Sequence, residues 1–343
     1  MGILDPRLTP EDLVLGRRDW RVLLEREYTG TSARLQQAYT RTAAQLRPLA
    51  NEVNQKLADI YATTGRLTPA DVRGISQYAR LLTRIEGELT DFAAIARNES
   101  AALAERMIGV GTQSALDLTL GAAGNAAPVV QGAWLRPDPE ALARLIGYVD
   151  GDPFRAKWAS FGENAARSLG DLYLTGVAQG KGPRVIARLV SSWFGVPYAW
   201  AENSARTAQI WSYRAANHAT FAANSDIVSG WIWVSARGPR TCPSCWAQDG
   251  TFHPVTEILT DHHSGRCSPS PVVKGVPRPT TQGRDAFGQL SDAEQRQIMG
   301  PGRHDAWKRG DLSWDDMSEK YTDPVYGDML RTASLKSAGV KAS

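Results

Sequence analysis

Residues 31–62, TSARLQQAYTRTAAQLRPLANEVNQKLADIYA, decide the fold class. Leu35, Tyr39, Thr42, Leu46, Leu49, Val53, Leu57 and Ile60 recur at intervals of three and four, which lines them along one face of a helix. Upstream, Thr9, Pro10 and Asp12 carry the N-cap, first-turn proline and capping acid of a separate short helix within the first 25 or so residues. Downstream, Gly65 interrupts the pattern and Thr68-Pro69-Ala70-Asp71 starts it again with the same capping logic. Val72, Ile75, Leu82, Ile85, Leu89, Phe92 and Ile95 continue a stripe to about residue 107. Two long helices joined by a short turn imply an antiparallel helical hairpin. Its stripes serve an internal core, with a partner-binding seam as the alternative.

Residues 108–135 are rich in Gly, Ala and Thr, as in a linker or a close-packed small-residue segment. Helices are expected to open at Asp138-Pro139-Glu140 and to run over 153–179, with Phe154, Trp158, Phe161, Ala165, Leu169 and Leu172 as apolar positions. Gly180 to Pro183 ends the latter, and further helices follow over 184–194 and 197–224. The pattern then changes. Ile227 to Ser235, containing Trp231-Ile232-Trp233-Val234, has the β-branched and aromatic content of a strand. Residues 270–290 read as an irregular crossing rich in Pro, Gly and Thr, after which Ser291 with Glu294 and Ser313 with Asp316 each cap a helix. The fold class is therefore mainly α with a small β element. Trp193, Trp200, Trp211, Trp231 and Trp233 fall at apolar positions and are expected in the core, with Trp246 covering the loop that follows the strand.

That loop holds the reactive side chains. Cys242, Cys245 and Cys267 are the only cysteines of the 343 residues, an odd number clustered in one short stretch. A disulfide framework needs pairs, so a shared local role such as metal binding in a reducing compartment fits better. Cys-x-x-Cys can wrap two thiolates around one ion, and His262 and Cys267 complete three sulfurs and one imidazole suited to tetrahedral zinc. With all four positions filled by protein, such a site holds structure, and the metal's binding energy becomes folding energy. His263 is a rival to His262, and His253 a more distant one. Catalytic zinc would need a general-base carboxylate, for which Glu257 and Asp261 are only generic candidates. A Cys-His nucleophile lacks any sign of activation in the sequence, and a redox Cys-x-x-Cys would open a helix in a thioredoxin-like setting.

The run Ala205-Arg206-Thr207, Trp231-Ile232-Trp233, Arg240-Thr241-Cys242-Pro243-Ser244-Cys245, Gly250 and His262…Arg266-Cys267 resembles the signature of Mu protein F-like minor head (head morphogenesis) proteins of phages. Gly176 to Gly180 with Ile186-Ala187 upstream, and Leu290 to Gln295 with Ile298-Met299-Gly300 downstream, extend the resemblance over about residues 155–320. The chain departs from the family pattern in three places. Gly265 stands where a first cysteine is usual, His263 where a proline is usual, and Ala208 where a glutamate is usual. The resemblance implies a minor component of the virion head associated with the portal vertex and with head assembly or DNA delivery. Its partners would be the portal protein, the major capsid or scaffolding protein, and weakly the packaged DNA. The hairpin read from the stripes lies outside the resemblance, and together they divide the chain into an N-terminal helical hairpin region (1–135), a head morphogenesis domain with the Cys/His knuckle (136–290) and a C-terminal helical tail (291–343).

Charge and motif content bear on the alternatives. The formal net charge is +3, and the basic excess lies in residues 131–280, too weak for a dedicated nucleic-acid surface. A DNA-binding zinc protein remains an alternative through Arg237, Arg240 and Arg266, diluted by Asp249, Glu257 and Asp261, and without a helix after the histidine to enter a groove. An effector enzyme within residues 1–150 is the other alternative, but that segment has neither histidine nor cysteine. No phosphate loop, Gly-x-Ser-x-Gly or His-Glu-x-x-His sequence occurs, so no catalytic residues are assigned. No window of ~18 uncharged apolar residues predicts a membrane span.

Overall fold

The computed structural model describes residues 10–138, 140, 142, 152–277 and 282–340. The expected Thr9 cap and most of the helix expected after Asp138 lie outside them. Among the described residues no helix is long and apolar enough to cross a membrane. The chain is mainly helical with a small antiparallel β element, and it forms two compact units.

One unit, residues 26–103 and 149–208, is helical. Its framework comes from α1 (Pro10–Thr64), α2 (Pro69–Gly74) and α3 (Ser76–Ala123). Antiparallel pairing of α1 and α3 follows from three cross-links: Arg34 to Glu99, Gln45 to Arg84 and Glu52 to Arg80. The stripe is confirmed where it matters, since Leu35, Leu46, Val53, Leu57, Ile85, Leu89 and Phe92 are all fully buried. Ile95 is not on it; the buried positions there are Phe92, Ala93 and Ala96, and Ile95 is 44% exposed.

The separate N-terminal helix is corrected: α1 runs unbroken from Pro10. Gly30 lowers helix propensity without stopping a helix whose other residues favour it. Gly65, at φ +69°, does end α1, adopting a left-handed conformation that costs a side chain-bearing residue energy. Thr68 and Asp71 form the expected reciprocal capping box. Ile75, with extended backbone, then separates α2 from α3, so the expected single helix from Thr68 is two.

α5 (Asp152–Ala159) and α6 (Phe161–Ala178) likewise replace one expected helix, with a turn at Ser160. The turn lets Trp158 and Phe161 both pack on Trp200, at 4.9 and 4.7 Å between ring centroids. α7 (Pro183–Trp193) and α8 (Val196–Ala223) follow as read from the sequence.

The other unit, residues 1–25, 104–148 and 209–343, contains the β structure. The small-residue stretch 108–135 proves to be the end of α3 followed by α4 (Ala127–Ala133), not a linker. Gly111 explains its composition: a Cβ there would lie 2.5 Å from the Tyr213 carbonyl oxygen and 2.8 Å from the Ala216 Cβ. α3 and α8 approach backbone to backbone at that point. Ser114 bonds Tyr213 and Asn217 alongside it.

β1 (Val228–Val234) is the centre of a three-stranded antiparallel sheet, flanked by β2 (Phe252–Pro254) and β3 (Ser268–Val273). α9 (Pro243–Gln248) lies between β1 and β2 in sequence. β3 corrects the expected irregular start of 270–290, and α10 (Gly283–Gly288) corrects its end. Two prolines hid the strand. Trp233 turns its N–H and C=O toward Thr251 and Gly250, so its partner Pro269 occupies a non-hydrogen-bonded pair and forfeits no bond to β1. Pro271, opposite Trp231, has the same parity.

α11 (Asp292–Met299) begins with the expected Ser291–Glu294 capping box, and α12 (Pro301–Arg309) follows. The Ser313–Asp316 bonds form as expected, but they open a single 3-10 turn, Asp315–Met317, in place of a helix. Beyond these helices the expected helical tail gives way to a hairpin: β4 (Ser318–Asp323) pairs with β5 (Gly327–Thr332).

Candidate metal centre

Two hydrophobic clusters meet at α9. Cys245 belongs to one, with Phe221, Val228, Trp231, Trp233, Leu259 and Cys267. Its chain neighbour Trp246 belongs to the other, with Phe287, Met299, Ala306, Leu312 and Met317. Trp246 therefore packs on Phe287, at 5.3 Å, and does not cover the loop as expected. Pro243 occupies the first turn of α9 and the Cys242 sulfur accepts the Cys245 N–H at 3.4 Å, so the Cys-x-x-Cys turn is also a helix cap.

The loop returns His262 to this turn. Its Nε2 lies 3.3 Å from the Cys242 Sγ and 3.6 Å from the Cys245 Sγ, and the three groups could hold a metal ion. Nδ1 faces the His263 carbonyl oxygen at 2.8 Å, so a proton on Nδ1 is donated there and Nε2 is the nitrogen left to bind a metal ion. Cys267 gathers with Cys245 and Asp261 in a second, adjoining group that shares the Cys245 sulfur. The rival histidines are engaged elsewhere. His263 Nε2 meets Asp323 Oδ2 at 2.9 Å, and His253 stacks on Trp231 while bonding Thr251 and Glu257.

Without a metal the charges balance as a thiolate and an imidazolium. The Cys245 hydrogen bond, opposed by burial and helped by His262, brings Cys242 down to about 4. Burial pulls His262 down, but the Cys242 hydrogen bond and the Asp261 and Cys242 charges outweigh it and raise it to about 9. Cys245 is held far above its ordinary value by hydrogen bonds to Cys242 and Cys267 and by burial, and burial raises Cys267. A cation among these groups would replace protons with a charge that all of the sulfurs can share.

Two residues not assigned to the site from the sequence hold it in place. Asp261, 2% exposed, accepts the His262 N–H at 2.8 Å through Oδ1 and the Cys245 thiol at 3.4 Å. Its Oδ2 accepts from Arg214 Nη2 at 2.9 Å, and Arg214 Nε donates to the Cys267 carbonyl at 2.8 Å. Burial opposes ionisation of Asp261, yet the charges of Arg214 and His262 keep its carboxyl below the usual range. Gly265 is required by this arrangement, since a Cβ there would collide with the Asp261 carboxylate. The position where the resemblance would put a cysteine thus has its side-chain space filled by that carboxylate. The hairpin braces the loop from the other side, with Leu330 N–H donating to the Thr260 carbonyl and Asp323 meeting His263.

Arg214 could have been noticed as a lone charge in an otherwise uncharged stretch of α8, from Thr207 to Ala223. Asp323 carried no comparable signal. No family model, curated protein or solved structure matches the chain.

Proposed function

We propose that this chain is a minor head protein of a tailed phage. In this reading it is a structural part of the capsid that acts at the portal vertex in head assembly or DNA delivery, and it is not an enzyme. The observation that carries the reading is the order and spacing of Ala205-Arg206-Thr207, Trp231-Ile232-Trp233, Arg240-Thr241-Cys242-Pro243-Ser244-Cys245 and His262…Arg266-Cys267, which resembles Mu F-like minor head proteins. Support comes from where these residues fall: the first group lies in α8, the second in β1, and the third leads into α9. The protein would be made in the bacterial cytoplasm and reside in the virion head, against the portal protein and near the capsid or scaffolding protein, with only weak contact to packaged DNA.

Zinc is the metal this reading assigns to the Cys/His group. With bonds of ~2.3 Å to sulfur and ~2.05 Å to nitrogen, tetrahedral zinc sets sulfur and nitrogen ligands about 3.5 Å apart. The 3.3 and 3.6 Å separations of His262 from the two sulfurs fit that spacing. Cys242, Cys245 and His262 would be three ligands and Cys267 the fourth, drawn toward the ion from its adjoining position beside Cys245. A closed set of this kind staples the loop and offers no position for substrate.

The test is co-expression with the portal protein of the phage that encodes the chain, followed by size-exclusion chromatography with metal content read on the same fractions. Co-elution with the portal ring at about one zinc per chain is the expected result. Separate elution would overturn the portal role, and a stable metal-free protein would overturn the zinc.

A further inference from the structure

The loop from Asp261 to Cys267 bears two of the four proposed ligands, and one side chain grips both of its ends. Arg214 Nη2 bonds the Asp261 carboxylate at 2.9 Å, while Nε of the same guanidinium bonds the Cys267 carbonyl at 2.8 Å. Both charged side chains are almost wholly buried, at 4% and 1% exposure. The Asp261 carboxylate accepts on both oxygens, with Oδ2 on Arg214 and Oδ1 on the His262 N–H and the Cys245 thiol. These bonds orient the residues that carry the imidazole and the sulfurs. Gly265 leaves the space that the carboxylate fills.

We infer that Arg214 is a positioning residue for the metal loop. Acting through Asp261 and the Cys267 carbonyl, it holds residues 261–267 in the shape that brings His262 and Cys267 to the Cys242–Cys245 turn. The inference rests on the reading of this cluster as a metal site. An ion pair that served stability alone could lie anywhere in the core. This one touches the backbone of two proposed ligands and the sulfur of a third, so its loss should be felt in metal affinity. Outer partners of metal ligands typically change affinity 10–100-fold when removed.

The experiment uses the full chain, titrated with Co2+ and followed by its visible absorption, with zinc affinity ranked against a chromophoric chelator. Two variants probe the grip differently. G265A keeps every charge but puts a methyl group into the space of the Asp261 carboxylate. The double variant R214M/D261N removes both charges together and so leaves no buried ion unpaired. Wild type should show tetrahedral thiolate–cobalt bands at about one ion per chain. Each variant that retains its far-UV circular dichroism should bind about 10–100-fold more weakly, with R214K between them and wild type. Folded variants that bind as tightly as wild type would overturn the inference and leave the metal reading intact. If wild type takes up no Co2+ or Zn2+, the metal reading itself fails. Should G265A not fold, the double variant decides.

Discussion

Arg214 and Asp261 form a buried ion pair, Nη2 to Oδ2 at 2.9 Å, that ties α8 to the loop after β2. Breaking such a pair on one side only leaves the other charge stranded in a low-dielectric interior. Arg214→Met is therefore expected to cost about 3–5 kcal/mol in urea unfolding, and the double replacement R214M/D261N clearly less. Equal losses for the two would show that the pair's charges are solvated in solution.

His218 gives a pH dependence of stability independent of the metal ligands. Burial, with the nearby charges of Arg214 and His253, lowers it to about 3, and its Nε2 accepts the Leu259 N–H at 2.9 Å. In the unfolded chain it would take up a proton near the ordinary histidine value, so the unfolded state binds more protons between about pH 6.5 and 3. Stability is present above that window and is lost as pH falls through it, with a slope approaching 1.4 kcal/mol per pH unit for this one group. His218→Gln should flatten that part of the curve in denaturant titrations across pH. An unchanged slope would assign the acid sensitivity to other groups.

On the proposal that the Cys/His group holds a metal, its removal has a local signature. A strong chelator at neutral pH should speed hydrogen exchange in residues 240–267 and lower the melting temperature, while α1 and the part of α3 up to Leu103 keep their protection. Cys242→Ser should reproduce both effects without chelator. Exchange that accelerates evenly along the chain would contradict a site that staples one loop.

Two glycines of α3 should respond in opposite directions. Gly111→Ala would force a Cβ to 2.5 Å from the Tyr213 carbonyl and is expected to cost about 1–3 kcal/mol. A Cβ added at Gly87 would meet nothing within 4 Å, and Gly87→Ala should gain about 0.4–1 kcal/mol through helix propensity and a less flexible unfolded chain. Thermal melts of the two variants against wild type measure both signs.

Local chemistry was legible in the sequence; tertiary decisions were not. The stop at Gly65, the caps at Thr68 and Ser291, the strand at Trp231–Trp233 and the choice of Cys242, Cys245 and His262 all depend on residues close along the chain or on a strong side-chain signature. The misses depend on partners distant in sequence. Proline argues against a strand in isolation, and only the parity of β1 shows that Pro269 and Pro271 can be accommodated. The β4–β5 hairpin had its Asp323-Pro324 turn and Gly327 in plain view, but its exposed, polar alternation gave no apolar period to detect. Arg214 matters through Asp261, 47 residues away, and no spacing rule links the two.

The prolines of β3 have a consequence beyond the sheet itself. β3 is an outer strand, and the backbone nitrogens of Pro269 and Pro271, turned away from β1, carry no hydrogen to offer a newcomer. An unpaired sheet edge is a template for a strand from elsewhere, and a row without these two donors is a poor one, on a strand five of whose six residues are already buried. Pairing through the main chain on that side of the sheet is thus disfavoured, whatever strand is offered.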